Sequence, residues 1–172
     1  LKNPHVVPIK IARSLTVDDI KNKVDLKKLI TLSILGGEPL YEKNNFDLLE
    51  HLLDIGNDTI FLSIVTNGSY KKTEWWVDLT SYLNEKDTIT FSIDGLPDNF
   101  TQYRINGDWE SIENAIKICA HNSVKTIWKY IPFAYNQHDI AQAEKLSLNL
   151  GITEFIVEPS DRYDDQTNYL KP

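Results

Sequence analysis

Five short apolar segments recur along the chain, spaced like the strands of βαβ units of about 30 residues. They lie at residues 29–35, 60–65, 88–93, 126–131 and 155–157. Each is rich in Ile, Val, Leu, Phe or Trp and lacks both proline and glycine, which is typical of buried β-strands. The pattern therefore predicts five strands.

Between these segments, apolar residues recur at the spacing of amphipathic helices. The stripes are Phe46, Leu49, Leu52 and Leu53; Trp75, Leu79 and Leu83; Ile112, Ile116 and Cys119; and Ile140, Ala143, Leu146 and Leu150. Thr73 and Asp108 are the predicted N-caps of two of these helices, and Gly151 is the predicted stop of the last. A further helix is predicted over residues 16–24, where Thr16 opens a capping box.

The alternation of helices and strands predicts an α/β fold, in which a parallel sheet carries helices on its faces. The sequence contains no low-complexity segment and no linker. We therefore expect residues 1–172 to form a single domain.

Composition narrows the classes of function. The chain has 25 acidic and 18 basic residues and a formal net charge of −7, which argues against a nucleic-acid partner, because phosphate backbones need a positive surface. No apolar stretch approaches the ~20 residues of a membrane span, and no signal peptide opens the sequence. We expect a cytoplasmic protein without a membrane or nucleic-acid partner.

A single cysteine, Cys119, excludes a disulfide framework and a multi-cysteine metal site within these residues. It lies on a helical apolar stripe and is expected in the core, so no metal ligand is predicted. The sequence begins at Leu1 and contains no methionine. We therefore expect a fragment of a longer protein; the alternative is a processed chain of unusual composition.

Small polar residues stand at the carboxyl ends of the predicted strands. They are Gly36-Gly37-Glu38-Pro39, Thr66-Asn67-Gly68, Ser92-Ile93-Asp94-Gly95 and Asn136. Because the carboxyl ends of parallel strands meet at one edge, where α/β folds bind ligands, these residues are candidates for one site.

The first of these groups suits an ammonium ligand. Gly36 and Gly37 allow a close approach to the backbone and positive φ angles, and Pro39 biases Glu38 toward an extended conformation. Glu38 would then present a carboxylate at the rim of the sheet. The alternative is a tight turn with an exposed glutamate.

The other groups suit hydroxyl and carboxylate ligands. Ser92 and Asp94 lie two residues apart on one strand and face the same way, toward ribose hydroxyls or a carboxylate; the alternative is capping of the following loop. Arg104 has the geometry to clamp a carboxylate, and its alternative is a surface ion pair. The segment from Thr66 to Gly68 is, by itself, equally compatible with a plain polar turn.

Together, the first three of these groups and Tyr103-Arg104 resemble the radical S-adenosylmethionine (radical SAM) enzymes. The residues from Phe91 to Arg104, Trp109 and the stretch from Trp128 to Asn136 resemble the subgroup that carries a truncated SPASM, or "twitch", auxiliary domain. The resemblance covers nearly the whole chain. It implies a partial (β/α)6 TIM-like barrel, of which this chain would supply the second to sixth strands, without the first.

The resemblance also implies a cofactor set and a reaction. In that family a Cys-x3-Cys-x2-Cys loop after the first strand holds a 4Fe-4S cluster, which reductively cleaves S-adenosylmethionine (SAM) to a 5′-deoxyadenosyl radical that abstracts hydrogen. The cluster cysteines are missing here, so the cluster ligands are expected outside this chain. The substrate, a small molecule or a peptide, is not readable from the sequence.

Site roles carried over from the family fall on the strand-end residues. Gly36, Gly37 and Glu38 would meet the SAM ammonium, with Pro39 shaping their loop. Ser92 and Arg104 would meet the carboxylate, and Asp94 would lie on the ribose side. The rim would be completed by Thr66, Asn67 and Asn136.

The sequence leaves two other functional interpretations open. The first alternative is a cluster-less, non-catalytic homologue that binds a nucleotide-like ligand or a partner. The second is an α/β-barrel lyase or aldolase, for which Lys129 is the only lysine placed to form a Schiff base.

Without a first strand, residues 29–35 would form an unprotected sheet edge, and we expect a homodimer through it.

Overall fold

A computed structural model describes residues 17–41, 43–54 and 60–160 of the chain. In it, five parallel strands form one sheet in the order β1-β2-β3-β4-β5. The strands are β1 Thr31–Ile34, β2 Phe61–Thr66, β3 Thr88–Ser92, β4 Lys125–Tyr130 and β5 Glu154–Val157. All five lie within two residues of their predicted positions, which confirms the open parallel α/β architecture.

Helices separate the strands. They are α1 Val17–Lys21, α2 Lys43–Asp54, α3 Thr73–Tyr82, α4 Trp109–His121 and α5 Ile140–Leu150, together with short 3-10 helices at Leu26–Lys28, Pro39–Tyr41 and Phe100–Gln102. The opening helix is shorter than the predicted 16–24, and its predicted cap Thr16 lies outside the described residues. None of the helices in the described ranges is long and apolar enough to cross a membrane.

Two of the predicted helix boundaries are confirmed and one is wrong. The side chain of Asp108 accepts a hydrogen bond from the N–H of Glu110 as the N-cap of α4, and Gly151 ends α5 with a left-handed φ of 86°. Thr73, however, is the first residue of α3, and the extended cap position belongs to Lys72, whose side chain makes no capping bond. Helix α3 therefore begins without the hydroxyl cap that the sequence suggested.

The two faces of the sheet differ in burial. On the helix-covered face, Ile64, Ile89, Phe91 and Trp128 are fully buried and form the centre of the core. On the opposite face, most side chains of β2 and β4 are only half-buried, so burial alternates along each strand. This second, concave face lines a cavity, and the alternation decides which side chains reach it.

Strand β1 is the edge of the sheet in the described residues, since its ladder runs to β2 alone. Its flanking residues Ile30 and Leu35 are 77% and 65% exposed. Exposed apolar groups beside an open strand edge favour strand addition.

Candidate functional site

The strand-end residues gather around two adjoining cavities. The larger, of about 540 Å³, lies on the concave face of the sheet and is lined by Ser92, Asp94 and Lys129 among others. The smaller, of about 470 Å³, lies beside Glu38 and Asn67. Tyr103 and Arg104 line both cavities. Cavities of this size accommodate small-molecule ligands.

The turn after β1 leaves open space beside its backbone. Gly36 and Gly37 have φ angles of +96° and +59°, and apart from chain neighbours no atom of the described residues lies within 4 Å of the position that a Cβ would take at either residue. A side chain would be strained there by the left-handed backbone and not by a neighbour. The glycines thus form the turn that brings Glu38 to the rim, and their own backbone stays approachable.

The carboxylate of Glu38 is oriented by residues at the end of the neighbouring strand. Its Oε1 accepts the hydroxyl of Thr66 at 2.7 Å and the N–H of Leu40 at 3.2 Å, and its Oε2 accepts the N–H of Asn67 at 2.8 Å. A carboxylate has about four acceptor positions, so Oε2 keeps capacity for a further donor. Glu38 is half-buried and therefore remains accessible to a ligand.

Arg104 is fixed by a buried aspartate. Its Nε and Nη2 both donate to Oδ2 of Asp94, at 2.8 and 2.7 Å, and Oδ1 accepts the N–H of Ile131 at 3.1 Å. Asp94 is 0% exposed, whereas the Arg104 side chain is 29% exposed. Burial raises the pKa of the Asp94 carboxyl, and the guanidinium and the Ile131 N–H act in the opposite direction. The pair therefore directs the rest of the guanidinium toward the cavities.

The loop after β4 holds the backbone of Asp94. Its carbonyl oxygen accepts the hydroxyl of Tyr135 at 2.5 Å and the amide of Asn136 at 3.0 Å. Asn136 is 0% exposed, and its Oδ1 accepts the N–H of Phe133 at 2.6 Å. Burial and the charge of Asp94 raise the pKa of Tyr135, so this hydroxyl stays a donor at neutral pH. The loop thus supports the position of Arg104.

The predicted residues fall into three groups by their surroundings. Glu38, Asn67, Ser92 and Arg104 line the cavities with accessible side chains. Pro39, Thr66, Asp94 and Asn136 are buried, where they can position other residues, and of these Asp94 alone borders one of the two cavities. Gly36 and Gly37 are exposed and line neither cavity. Asp94 and Arg104, assigned separately from the sequence, are partners of each other.

Sequence reasoning missed two parts of the site. Tyr135 was not proposed, although it directly precedes Asn136. Lys129 was considered only as a Schiff-base lysine, yet its Nζ lies 2.6 Å from Oε2 of Glu158 across the cavity wall. The available signal was the period-2 spacing that places Lys129 on the same face as Ile127 and Ile131.

The described residues do not fit an iron–sulfur cluster. No group of three or more His, Cys, Asp or Glu side chains in these ranges is placed to hold a metal. Burial raises the pKa of the Cys119 thiol to about 12, which keeps it protonated and unsuited to ligation.

Comparison with known proteins identifies the family. The sequence profile of the Radical SAM superfamily matches residues 4–146, and the chain belongs to this superfamily. No curated protein matches the sequence significantly.

Solved structures share the fold. Streptococcus suis SuiB bound to S-adenosylmethionine matches 93% of this chain and 37% of its own, with a TM-score of 0.73 and 17% identity. SuiB bound to its precursor peptide SuiA matches 92% and 35%, with a TM-score of 0.69 and 18% identity.

A methyltransferase is also similar in fold. The radical S-adenosylmethionine methyltransferase TsrM from Kitasatospora setae, with cobalamin and a 4Fe-4S cluster bound, matches 83% of this chain and 30% of its own, with a TM-score of 0.61 and 13% identity. The chain thus spans about a third of the length of these proteins. At these identities the likeness supports the partial TIM-like barrel and not a shared substrate.

Proposed function

We propose that this chain is the SAM-binding part of a radical SAM enzyme. The observation that carries the proposal is the carboxylate of Glu38, held at the open glycine turn by Thr66 and Asn67 and left with acceptor capacity on Oε2. A fixed carboxylate at the rim of an open cavity is suited to an ammonium group, because little side-chain entropy is lost on binding.

The residues present fit both ends of an amino-acid head group. Glu38 would receive the ammonium of SAM. Ser92 and Arg104, which line the larger cavity together, would receive its carboxylate. Asp94 holds Arg104 in place, and we assign Asn136 and Thr66 the same supporting role, with the ribose near the Asp94 loop. Gly36 and Gly37 keep the approach open.

A 4Fe-4S cluster with ligands outside the described residues would supply the electron that cleaves bound SAM to a 5′-deoxyadenosyl radical, which would abstract hydrogen from the substrate. We place the cluster ligands outside these residues, because Cys119 is the chain's only cysteine and is buried. The described residues orient SAM and shield the space beside it. On the residues from Phe91 to Arg104 and from Trp128 to Asn136, we further assign the chain to the twitch subgroup.

The cluster-less, non-catalytic alternative is less well supported. The superfamily is enzymatic in general, and the carboxylate, hydroxyl and guanidinium that a SAM head group requires all lie at the cavities. The aldolase reading is weaker still, since Lys129 is engaged with Glu158 and a Schiff-base lysine must be neutral to react.

Isothermal titration of the 172-residue chain with SAM tests the proposal. We expect measurable affinity and a loss of roughly 1.5–3 kcal/mol in Glu38→Gln, since one charge-assisted hydrogen bond is removed. Glu144→Gln, at an exposed position of α5, is the matched control and should bind like the wild type. Equal affinity in both variants, with unchanged melting temperatures, would contradict the assignment of Glu38.

A further inference from the structure

The larger cavity contains an ion pair that the proposed SAM contacts do not use. Lys129 on β4 and Glu158 just after β5 lie on the concave face, with Nζ and Oε2 2.6 Å apart. Their side chains are 34% and 54% exposed, so both charged groups are accessible from the cavity. The wall around them combines polar groups with three isoleucines, Ile127, Ile131 and Ile156.

Stability does not account for this pair. Partly exposed ion pairs contribute about 0–1 kcal/mol, and β4 and β5 are already joined by their backbone ladder. The same two strands carry a second Lys–Glu pair at their amino-terminal ends, where Lys125 and Glu154 lie 3.7 Å apart. That pair provides the same cross-strand attraction away from the cavity mouth.

A charged pair in a cavity wall selects its ligand by the number of charges that the ligand can pair. A ligand that has only a carboxylate would pair with Lys129 and leave Glu158 without a partner. A ligand that has only an ammonium would pair with Glu158 and leave Lys129 without a partner. A ligand with both groups replaces one ion pair by two and leaves neither charge unpaired. A ligand with one charge therefore gains one charge-assisted contact where a zwitterion gains two.

We infer that Lys129 and Glu158 form a substrate subsite for the zwitterionic head group of an α-amino acid with an apolar side chain. The carboxylate of the amino acid lies at Lys129, its ammonium lies at Glu158, and its side chain contacts the three isoleucines. This inference rests on the proposed function, because it names the substrate class of the same cavity, but it uses residues distinct from the SAM contacts.

Ligand-observed NMR titration of the full chain tests the subsite with three probes: L-leucine, N-acetyl-L-leucine and L-leucinamide. We expect leucine to bind and each capped probe to bind roughly tenfold more weakly, since each lacks one charge-assisted contact. In Lys129→Met the discrimination against leucinamide should vanish. In Glu158→Gln the discrimination against N-acetyl-leucine should vanish. Such selective loss identifies the interacting partners.

Lys125→Met and Glu154→Gln are the matched controls, and both should keep the wild-type order of the probes. Three results would each overturn the inference: no saturable binding of leucine to the wild type, discrimination that persists in the Lys129 and Glu158 variants, or equal losses in the controls. Calorimetry with SAM on the same variants separates this subsite from the SAM site. If Lys129→Met lowers the affinity for SAM as much as the affinity for leucine, the pair belongs to the SAM site and the inference is overturned. If Glu38→Gln leaves the affinity for SAM unchanged, only the proposed function is contradicted.

Discussion

At the scale of single residues, the site depends on which charges are buried and which are left facing the cavity. Asp94 has no exposed surface, and both of its oxygens are occupied. Asp94 therefore acts on a ligand through Arg104. The Arg104 guanidinium has five N–H donors, and its Nε and Nη2 donate to Asp94. Asp94 thus orients the guanidinium of Arg104.

The first prediction removes that support. Asp94→Asn eliminates the charge that orients Arg104, and we expect SAM affinity to fall about tenfold, because a guanidinium free to rotate must be ordered again on binding. Asp98→Asn, at an exposed position of the same loop, is the control. Calorimetry on both variants measures the effect. Equal affinity in the two variants would show that Arg104 is not positioned by Asp94.

The residues that line the site were predictable from the sequence where their role depended on residue type and on a position at the end of a strand. Glu38 and Ser92 were found in this way, Arg104 was found from its residue type and the family resemblance, and all three line the cavities. The pairing of Arg104 with Asp94 was not predictable, because it depends on the path of the loop between them. The hydrogen bond from Tyr135 to the Asp94 carbonyl was missed for the same reason, as it joins residues 41 apart in the chain.

At the scale of elements, periodicity located the strands and the main helices, because both depend on which face is buried. The 3-10 helices Leu26–Lys28, Pro39–Tyr41 and Phe100–Gln102 were not predicted, since three residues carry no period. Thr73 was misassigned as a cap, because the cap position is fixed by backbone angles and a threonine also fits the first turn.

The second prediction concerns the junction of α5 and β5. Gly151 has a φ of +86°, and a Cβ there would lie 2.8 Å from the Cβ of Ala120 on α4. Gly151→Ala should lower the free energy of unfolding by at least about 1–2 kcal/mol, through left-handed strain alone. Urea unfolding measures the loss.

A double variant separates strain from contact at this junction. Ala120→Gly removes the atom that the new Cβ would meet but leaves the backbone strain. The double variant should therefore be less destabilised than the sum of the two single variants. Strict additivity, or a Gly151→Ala variant as stable as the wild type, would contradict the close packing of α4 against this turn.

At the scale of the whole molecule, the sheet is parallel, as the alternation of helices and strands predicted, and it runs in sequence order, as the family resemblance implied. The sequence pattern alone did not define the curvature that makes the concave face a cavity; that expectation came from the family resemblance. Curvature arises from strand twist and packing over many residues, which no local pattern encodes.

The third prediction concerns assembly through the β1 edge. We expect the chain to self-associate with increasing concentration, because within the described residues β1 pairs with β2 alone and is flanked by exposed Ile30 and Leu35. Ser33→Lys places a charge on this edge and should shift the chain toward the monomer. Ser81→Lys, on the exposed side of α3, should leave association unchanged. Light scattering decides the matter; a wild type that stays monomeric at high concentration would contradict the edge contact.

The most direct test of the SAM site is a two-dimensional amide NMR titration of the chain with SAM. Binding as proposed should shift the amides of Gly36, Gly37, Asn67 and Ser92 together and saturably, while Lys125, at the opposite end of the sheet, stays unperturbed. Shifts confined to other surfaces, or no saturable shift at these four amides while the protein remains folded, would contradict the proposal that this rim binds SAM.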